Sequence, residues 1–437
     1  MRYRAGYRRD QLSKHLKILW WAVCKPPIPS AYAEVTGQLV STLRAKGHLV
    51  DLLSMLPQSW RDVKHDGGID FAYPYDEVIP QIILQHWSAA EEDGVPYDLC
   101  VFMGDLWANG ASLDMLTKTG YLDARGQRHT VKLLVHAPID HEPLTPQEVG
   151  ILDSCAGMAV PTRWGADVVS AGTRFPGNQL HTGINMDLPV EYVPHGVNTD
   201  IFYPAETSQA EVRLQLGWPQ DATIFGCVAS NKGSRKNLGN LLRGFSMANP
   251  SAMVNGEWLL AIHSYPFTDV SNPSGFALDQ LALSLGINKR VILSQPNRIK
   301  TGLTPEEMAM FYRGLDYYVQ PSKTEGFCIP LLEAAASGVR MAVTDIPPMR
   351  EIAPDHSEFI PVVDQEVQQL MGSAWWWMPS TDGLAKWFKL AGERPRPLTP
   401  DSASVKHAEG YSWGVAGDLL EQFCLQLCQK ELSLAWD

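Results

Sequence analysis

Two carboxylates, Glu325 and Glu333, bracket the run Glu-Gly-Phe-Cys-Ile-Pro-Leu-Leu-Glu. It follows an apolar stretch, 315–319, and reads as strand, glycine-containing loop and helix, with Pro330 in the first helical turn and Gly338 just past the helix end. The first amides of such a helix have no acceptor within it, and the helix dipole favours an anion there. Those amides belong to Gly326, Phe327, Cys328 and Ile329, and a phosphate fits against them without any side chain. Neither glutamate suits phosphate oxygens. A carboxylate does accept paired hydrogen bonds from vicinal hydroxyls, so the pattern points to a ligand that is part sugar and part phosphate. A second cluster, Asn231-Lys-Gly-Ser-Arg235-Lys236, lies at another strand-to-helix turn. There Arg235 offers a planar fork and Lys236 a point charge, fixed cations suited to phosphate oxygens. The chain contains no Asp-x-Asp, the usual holder of a metal on a diphosphate.

The full string Pro-Ser-x-x-Glu-Gly-Phe-x-x-Pro-x-x-Glu-Ala, from Pro321 to Ala334, resembles the signature of family 4 retaining glycosyltransferases. The resemblance implies the α/β GT-B fold, two Rossmann-like doubly wound domains facing a central cleft. It implies transfer of a hexose from a nucleotide diphosphate sugar to a hydroxyl acceptor, with retention of anomeric configuration and without a required metal or other cofactor. UDP-glucose is the first expectation for the donor and GDP-mannose the next. Glu333 is expected on the ribose diol and Glu325 on the hydroxyls of the transferred sugar. Arg235 and Lys236 are expected on the diphosphate beside the loop amides, with Asn231 alongside. The base is expected near 296–298, which includes Arg298. No side-chain nucleophile is needed, so His136 and Asp140 would orient sugar or acceptor.

A chain of 437 residues exceeds what one core supports, and 45% apolar content suffices for two. The expected division is 1–204, with a helix from 412–437 packing back on it, and 205–411. A formal charge of −12 gives no global attraction to nucleic acid or anionic lipid. Seven cysteines, odd in number and without Cys-x-x-Cys, suggest neither a disulfide framework nor a zinc ribbon and point to a reducing, cytoplasmic setting. The apolar run 18–24 follows basic residues, as in a signal peptide. Its shortness and its end at Lys25-Pro-Pro favour a buried first strand.

That strand, a helix over 32–45 and a strand over 49–53 open a parallel sheet. The turn between the first two is proline-rich where the resembling family is glycine-rich. Ser30 and Tyr32 remain as hydrogen-bonding candidates at the acceptor side. Residues 57–95 read as irregular and helical in part. Further strands are expected at 97–103, 131–135, 158–161 and 190–193. The one ending at 135 carries His136 and Asp140 at the edge where open parallel sheets bind ligands. His136, Asp140, His141 and Glu142 match no standard metal spacing. The second half repeats the alternation, with strands at 223–229, 258–263, 291–294, 316–320 and 341–344.

Two other readings stay open. The basic, tyrosine-interleaved start, Arg2-Tyr-Arg-Ala-Gly-Tyr-Arg-Arg9, fits phosphates, so the acceptor could be a hydroxymethylated DNA base as in phages; a membrane-facing or solvated arm is the plainer role. Alternatively, the chain is a silent nucleotide-sugar-binding subunit. Glycan, lipid-linked and small-molecule acceptors are all compatible with the sequence.

Overall fold

The computed structural model describes residues 15–25, 30–55, 62–73, 79–122, 125–172, 188–248, 257–268, 274–294, 302–367 and 374–434. Contacts divide the chain into two units. One comprises Met1–His195, Gln369–Ala374 and Trp413–Asp437, the other Gly196–Gln368 and Trp375–Ser412.

In the first unit an eight-stranded sheet runs in the order Val190–Tyr192, Gly157–Val160, Leu133–His136, Leu99–Met103, Lys17–Ala22, Leu49–Met55, Gly68–Tyr73, Val63–His65. All neighbours are parallel except the last pair. Lys17–Ala22 is buried throughout, as a central parallel strand covered on both faces must be. The following helix, Ala31–Ala45, starts on Ser30, whose hydroxyl accepts the Ala33 amide, and buries Ala33, Thr36, Leu39, Val40 and Leu43. The helix Trp413–Leu434 packs on this unit. Gly417 meets Thr42 closely, Lys46 reaches Asp418 and Glu421 at 2.6 and 2.8 Å, and Phe423 and Leu427 cover Gly157.

The second unit holds a six-stranded parallel sheet, ordered Val291–Leu293, Trp258–His263, Thr223–Val228, Tyr317–Gln320, Arg340–Thr344, Glu358–Ile360. Phe225 sits at its core, ringed by Phe245, Trp258, Tyr317, Trp387 and Phe388 with centroids 5.0–6.4 Å away. Each unit thus carries one sheet of the doubly wound kind expected of a two-domain GT-B fold. Among the described residues no helix is long and apolar enough to cross a membrane.

Two expectations need correction. Residues 196–204 go with the second unit, not the first, because Arg313 hydrogen-bonds the carbonyls of Ile201 and Tyr203 and the Val197 amide reaches Tyr411. The stretch 57–95 contains two strands, Val63–His65 and Gly68–Tyr73, besides the helix Ile79–Glu92. Asp70 disguises the longer one: a charge inside a strand is tolerated here because Lys25 and Arg44 meet it at 2.8 and 2.7 Å. The strand Trp375–Pro379 pairs antiparallel with Val362–Val367.

Candidate functional site

Sheet order reverses direction between Thr223–Val228 and Tyr317–Gln320, and the loops leaving the carboxyl ends of strands at such a switch point form the crevice where open α/β sheets bind ligands. The first loop delivers Arg235 and Lys236. The second delivers 321–328. The two are laced together: the Lys323 amide donates to Arg235 O at 2.8 Å, and Arg235 Nη1 reaches Thr324 O at 3.3 Å.

Glu325 is the centre of this lacing and is only 3% exposed. Lys236 Nζ lies 2.5 and 2.7 Å from its oxygens, Arg235 Nη1 3.0 Å and Ser322 Oγ 2.6 Å. Gln320 Nε2 approaches at 3.3 Å while its carbonyl accepts the Tyr318 hydroxyl at 2.6 Å. Burial pushes the Glu325 pKa up, but the charges of Lys236 and Arg235 and the hydrogen bonds outweigh it, leaving it below the usual glutamate value. The acid is therefore ionised at neutral pH.

The loop passes into the helix Ile329–Ala336 through Cys328, whose φ of 84° is left-handed. Glycine adopts that conformation freely, and a side chain does not. The Cys328 thiol is buried and its pKa is pushed far up by burial, so it is not an ionised nucleophile. Pro330 occupies the first turn and Gly338, at φ 76°, closes the helix. Glu333 stands one turn in, half-buried, and its Oε2 accepts the Tyr312 hydroxyl at 2.7 Å.

The Asn231 amide donates to the carbonyls of Tyr265 and Phe276 and accepts the Phe276 amide, so it fastens two loops together. Arg298 lies outside the described residues, as does the basic stretch 2–9. Lys323, not singled out by sequence, is 5% exposed and touches Ser234 and Glu366 of the neighbouring ribbon.

The acceptor candidates all belong to the first unit. Its own switch point falls between Lys17–Ala22 and Leu99–Met103, and there the Tyr32 hydroxyl hydrogen-bonds Asp105. Ser30 caps its helix and lies 2.9 Å from Cys24 Sγ. His136 ends its strand fully buried, edge-on to His195 at 5.8 Å, and His195 stacks on Trp413. Burial pulls the His136 pKa down to about 4 and outweighs the opposing, pKa-raising influence of the Val193 backbone, so the ring is neutral. Asp140 Oδ1 lies 3.2 Å from His141 Nδ1, and His141 Nε2 lies 3.0 Å from the buried Glu148. Burial works against a charged His141. The two carboxylates more than offset it and raise its pKa to about 10.

Residues 213–372 match the family model described as glycosyl transferases group 1, a span that contains both site loops. The D-inositol 3-phosphate glycosyltransferase of Nocardia farcinica is 31% identical over 276 residues, covering 60% of this chain and 53% of that protein. The chain spans about half the length of the curated relatives it matches first. Among solved structures, sucrose-phosphate synthase from Thermosynechococcus elongatus aligns with a TM-score of 0.66 at 16% identity, over 96% of this chain and 100% of that one. Anabaena HepE in complex with UDP and glucose aligns at 0.61 and 12% identity, over 94% and 99%. Likeness at such identity shows the fold.

Proposed function

We propose that the chain is a family 4-like glycosyltransferase of the GT-B fold and that it moves a hexose from a nucleoside diphosphate sugar to a hydroxyl with retention of configuration and without a metal, a reading supported by its similarity to group 1 glycosyl transferases. The observation that carries this reading is the convergence of Arg235 and Lys236 on Glu325 at the sheet switch point, beside the start of a helix that bears Glu333.

In this reading the diphosphate lies against Arg235, Lys236 and the loop amides, which stabilise the negative charge that grows as the sugar leaves. Glu333 takes the ribose diol and Glu325 the sugar hydroxyls. The acceptor oxygen attacks the anomeric carbon from the face the diphosphate vacates. The bond from that carbon to the phosphate oxygen breaks, the new glycosidic bond forms, and the acceptor proton passes to the departing phosphate. No protein nucleophile takes part, in keeping with a protonated, buried Cys328. Acceptor recognition falls to the first unit, with Tyr32, Asp105 and Asp140 as its polar candidates. UDP-glucose is the donor to test first, since HepE, of the same fold, was solved with UDP and glucose.

The test is incubation with UDP-glucose and a panel of hydroxyl acceptors, with and without EDTA, following UDP release and the anomeric proton of the product by NMR. Retention with equal rates in EDTA supports the reading. An inverted product, or activity abolished by EDTA and restored by a divalent ion, would refute it.

A further inference from the structure

The Glu333 carboxylate is tied to a buried phenol that no sequence pattern points to. Tyr312 lies on the helix Pro305–Arg313, is 0% exposed, and donates to Glu333 Oε2 at 2.7 Å. Its ring is wedged edge-on among Phe202, Phe311 and Tyr318, with centroids 6.1, 5.9 and 5.8 Å away. Burial, reinforced by the Glu333 charge, keeps the phenol protonated far above its ordinary range, so toward Glu333 it acts only as a donor. A ring locked by packing and a bond with one polarity together fix where a carboxylate oxygen sits. Tyr318, the neighbour of Tyr312, serves the other acid: its hydroxyl holds Gln320, which reaches Ser322 at 2.8 Å and Glu325 at 3.3 Å. Two tyrosines in edge-to-face contact thus underlie the two glutamates.

We propose that Tyr312 is the positioning residue for Glu333, holding its carboxylate in the orientation that engages both hydroxyls of a ribose, and that it thereby sets a preference for ribonucleotides over their deoxy forms. This rests on the reading of Glu333 as the ribose ligand. Tyr312→Phe keeps the ring and its packing and removes only the donor, so Oε2 of the carboxylate loses this anchor while the fold is retained. A general packing role would lower stability without changing which sugar is preferred.

The experiment is calorimetric titration of UDP, GDP and ADP and their 2′,3′-dideoxy forms into wild type, Tyr312→Phe, Glu333→Gln and the double variant. Wild type is expected to favour the ribo form of the tightest nucleotide by about tenfold or more, because the missing hydroxyls leave a carboxylate unpaired. In Tyr312→Phe that ratio falls by about fivefold. In the Glu333→Gln background the tyrosine substitution changes the ratio no further, since the two groups act as one unit. A wild-type preference that Tyr312→Phe leaves intact overturns the positioning role alone. No nucleotide binding, or equal binding of ribo and dideoxy forms by wild type, overturns the Glu333 reading and this proposal with it.

Discussion

Lys236 Nζ lies 2.5 and 2.7 Å from the two carboxylate oxygens of Glu325, and Arg235 Nη1 lies 3.0 Å from the latter. One buried acid therefore neutralises half of a cation pair that the proposed reaction directs at a diphosphate. Glu325 and a diphosphate compete for the same charge. The lysine and arginine side chains are 16% and 30% exposed, so water softens the loss when the acid is removed. Glu325→Gln should cost about 2 kcal/mol of stability, below the ~3–5 kcal/mol of a sealed pair. The same substitution frees both cations, so UDP should bind about fivefold tighter while sugar transfer falls. Denaturant unfolding and calorimetry check both halves. Weaker UDP binding in a folded Glu325→Gln protein would contradict the assignment of Arg235 and Lys236.

The Asp140–His141–Glu148 cluster predicts a pH dependence of stability. His141 has a folded-state pKa raised to about 10 from an ordinary 6.5, so its contribution is complete below pH 6.5 and disappears as pH rises to 10. Within that window the folded state binds the extra proton, and stability falls by at most about 1.4 kcal/mol per pH unit from this group. His141→Gln should flatten the profile between pH 6.5 and 10. An unchanged slope in that variant would show that His141 is not charged in the fold.

Cys328 predicts a ranking. At φ 84° a glycine is at ease, a cysteine is strained by about 1 kcal/mol and a β-branched residue by more. Glycine gains chain entropy when unfolded and loses the buried sulfur, which offsets the relief. Cys328→Gly should stay within about 0.5 kcal/mol of wild type, and Cys328→Val should lose about 2 kcal/mol or more. Equal stability of both would mean that the loop adopts another conformation.

Two ion pairs of the second unit should differ sharply in worth. Arg213 and Asp316 are both fully buried, 2.7 Å apart, and Asp316 also accepts the Ile224 amide at 2.7 Å. Asp316→Ala should cost about 3–5 kcal/mol, because it strands a buried guanidinium. Asp345→Ala, which breaks the exposed pair with Arg350, should cost under about 1 kcal/mol. Similar losses would show that burial does not set the difference.

The strand–loop–helix around Glu325 was legible because each signal there is local: the apolar run into Gln320, Pro330 at the helix start and Gly338 at its end. Thr162, which caps the helix Arg163–Ala171, is as local a device: it accepts the Gly165 amide at 3.0 Å. What sequence missed depends on partners distant along the chain. Asp70 is comfortable in a strand only through Lys25 and Arg44, and Tyr312 finds Glu333 only after a strand and a loop intervene. The Asn231 amide likewise joins segments 34 and 45 positions away, a tie that no local signal announces.

The central claim is that Arg235, Lys236 and Glu333 form a nucleotide site needing no metal. The most direct measurement is thermal stabilisation of the whole chain by UDP, GDP, ADP and their sugars, with and without EDTA, for wild type and Glu333→Ala. A nucleotide at about 100 times its dissociation constant adds about 2.7 kcal/mol to the folded state. The account predicts that one nucleotide raises the wild-type midpoint equally in EDTA and that Glu333→Ala loses the shift. No shift with any nucleotide, a shift abolished by EDTA, or an undiminished shift in Glu333→Ala would contradict it.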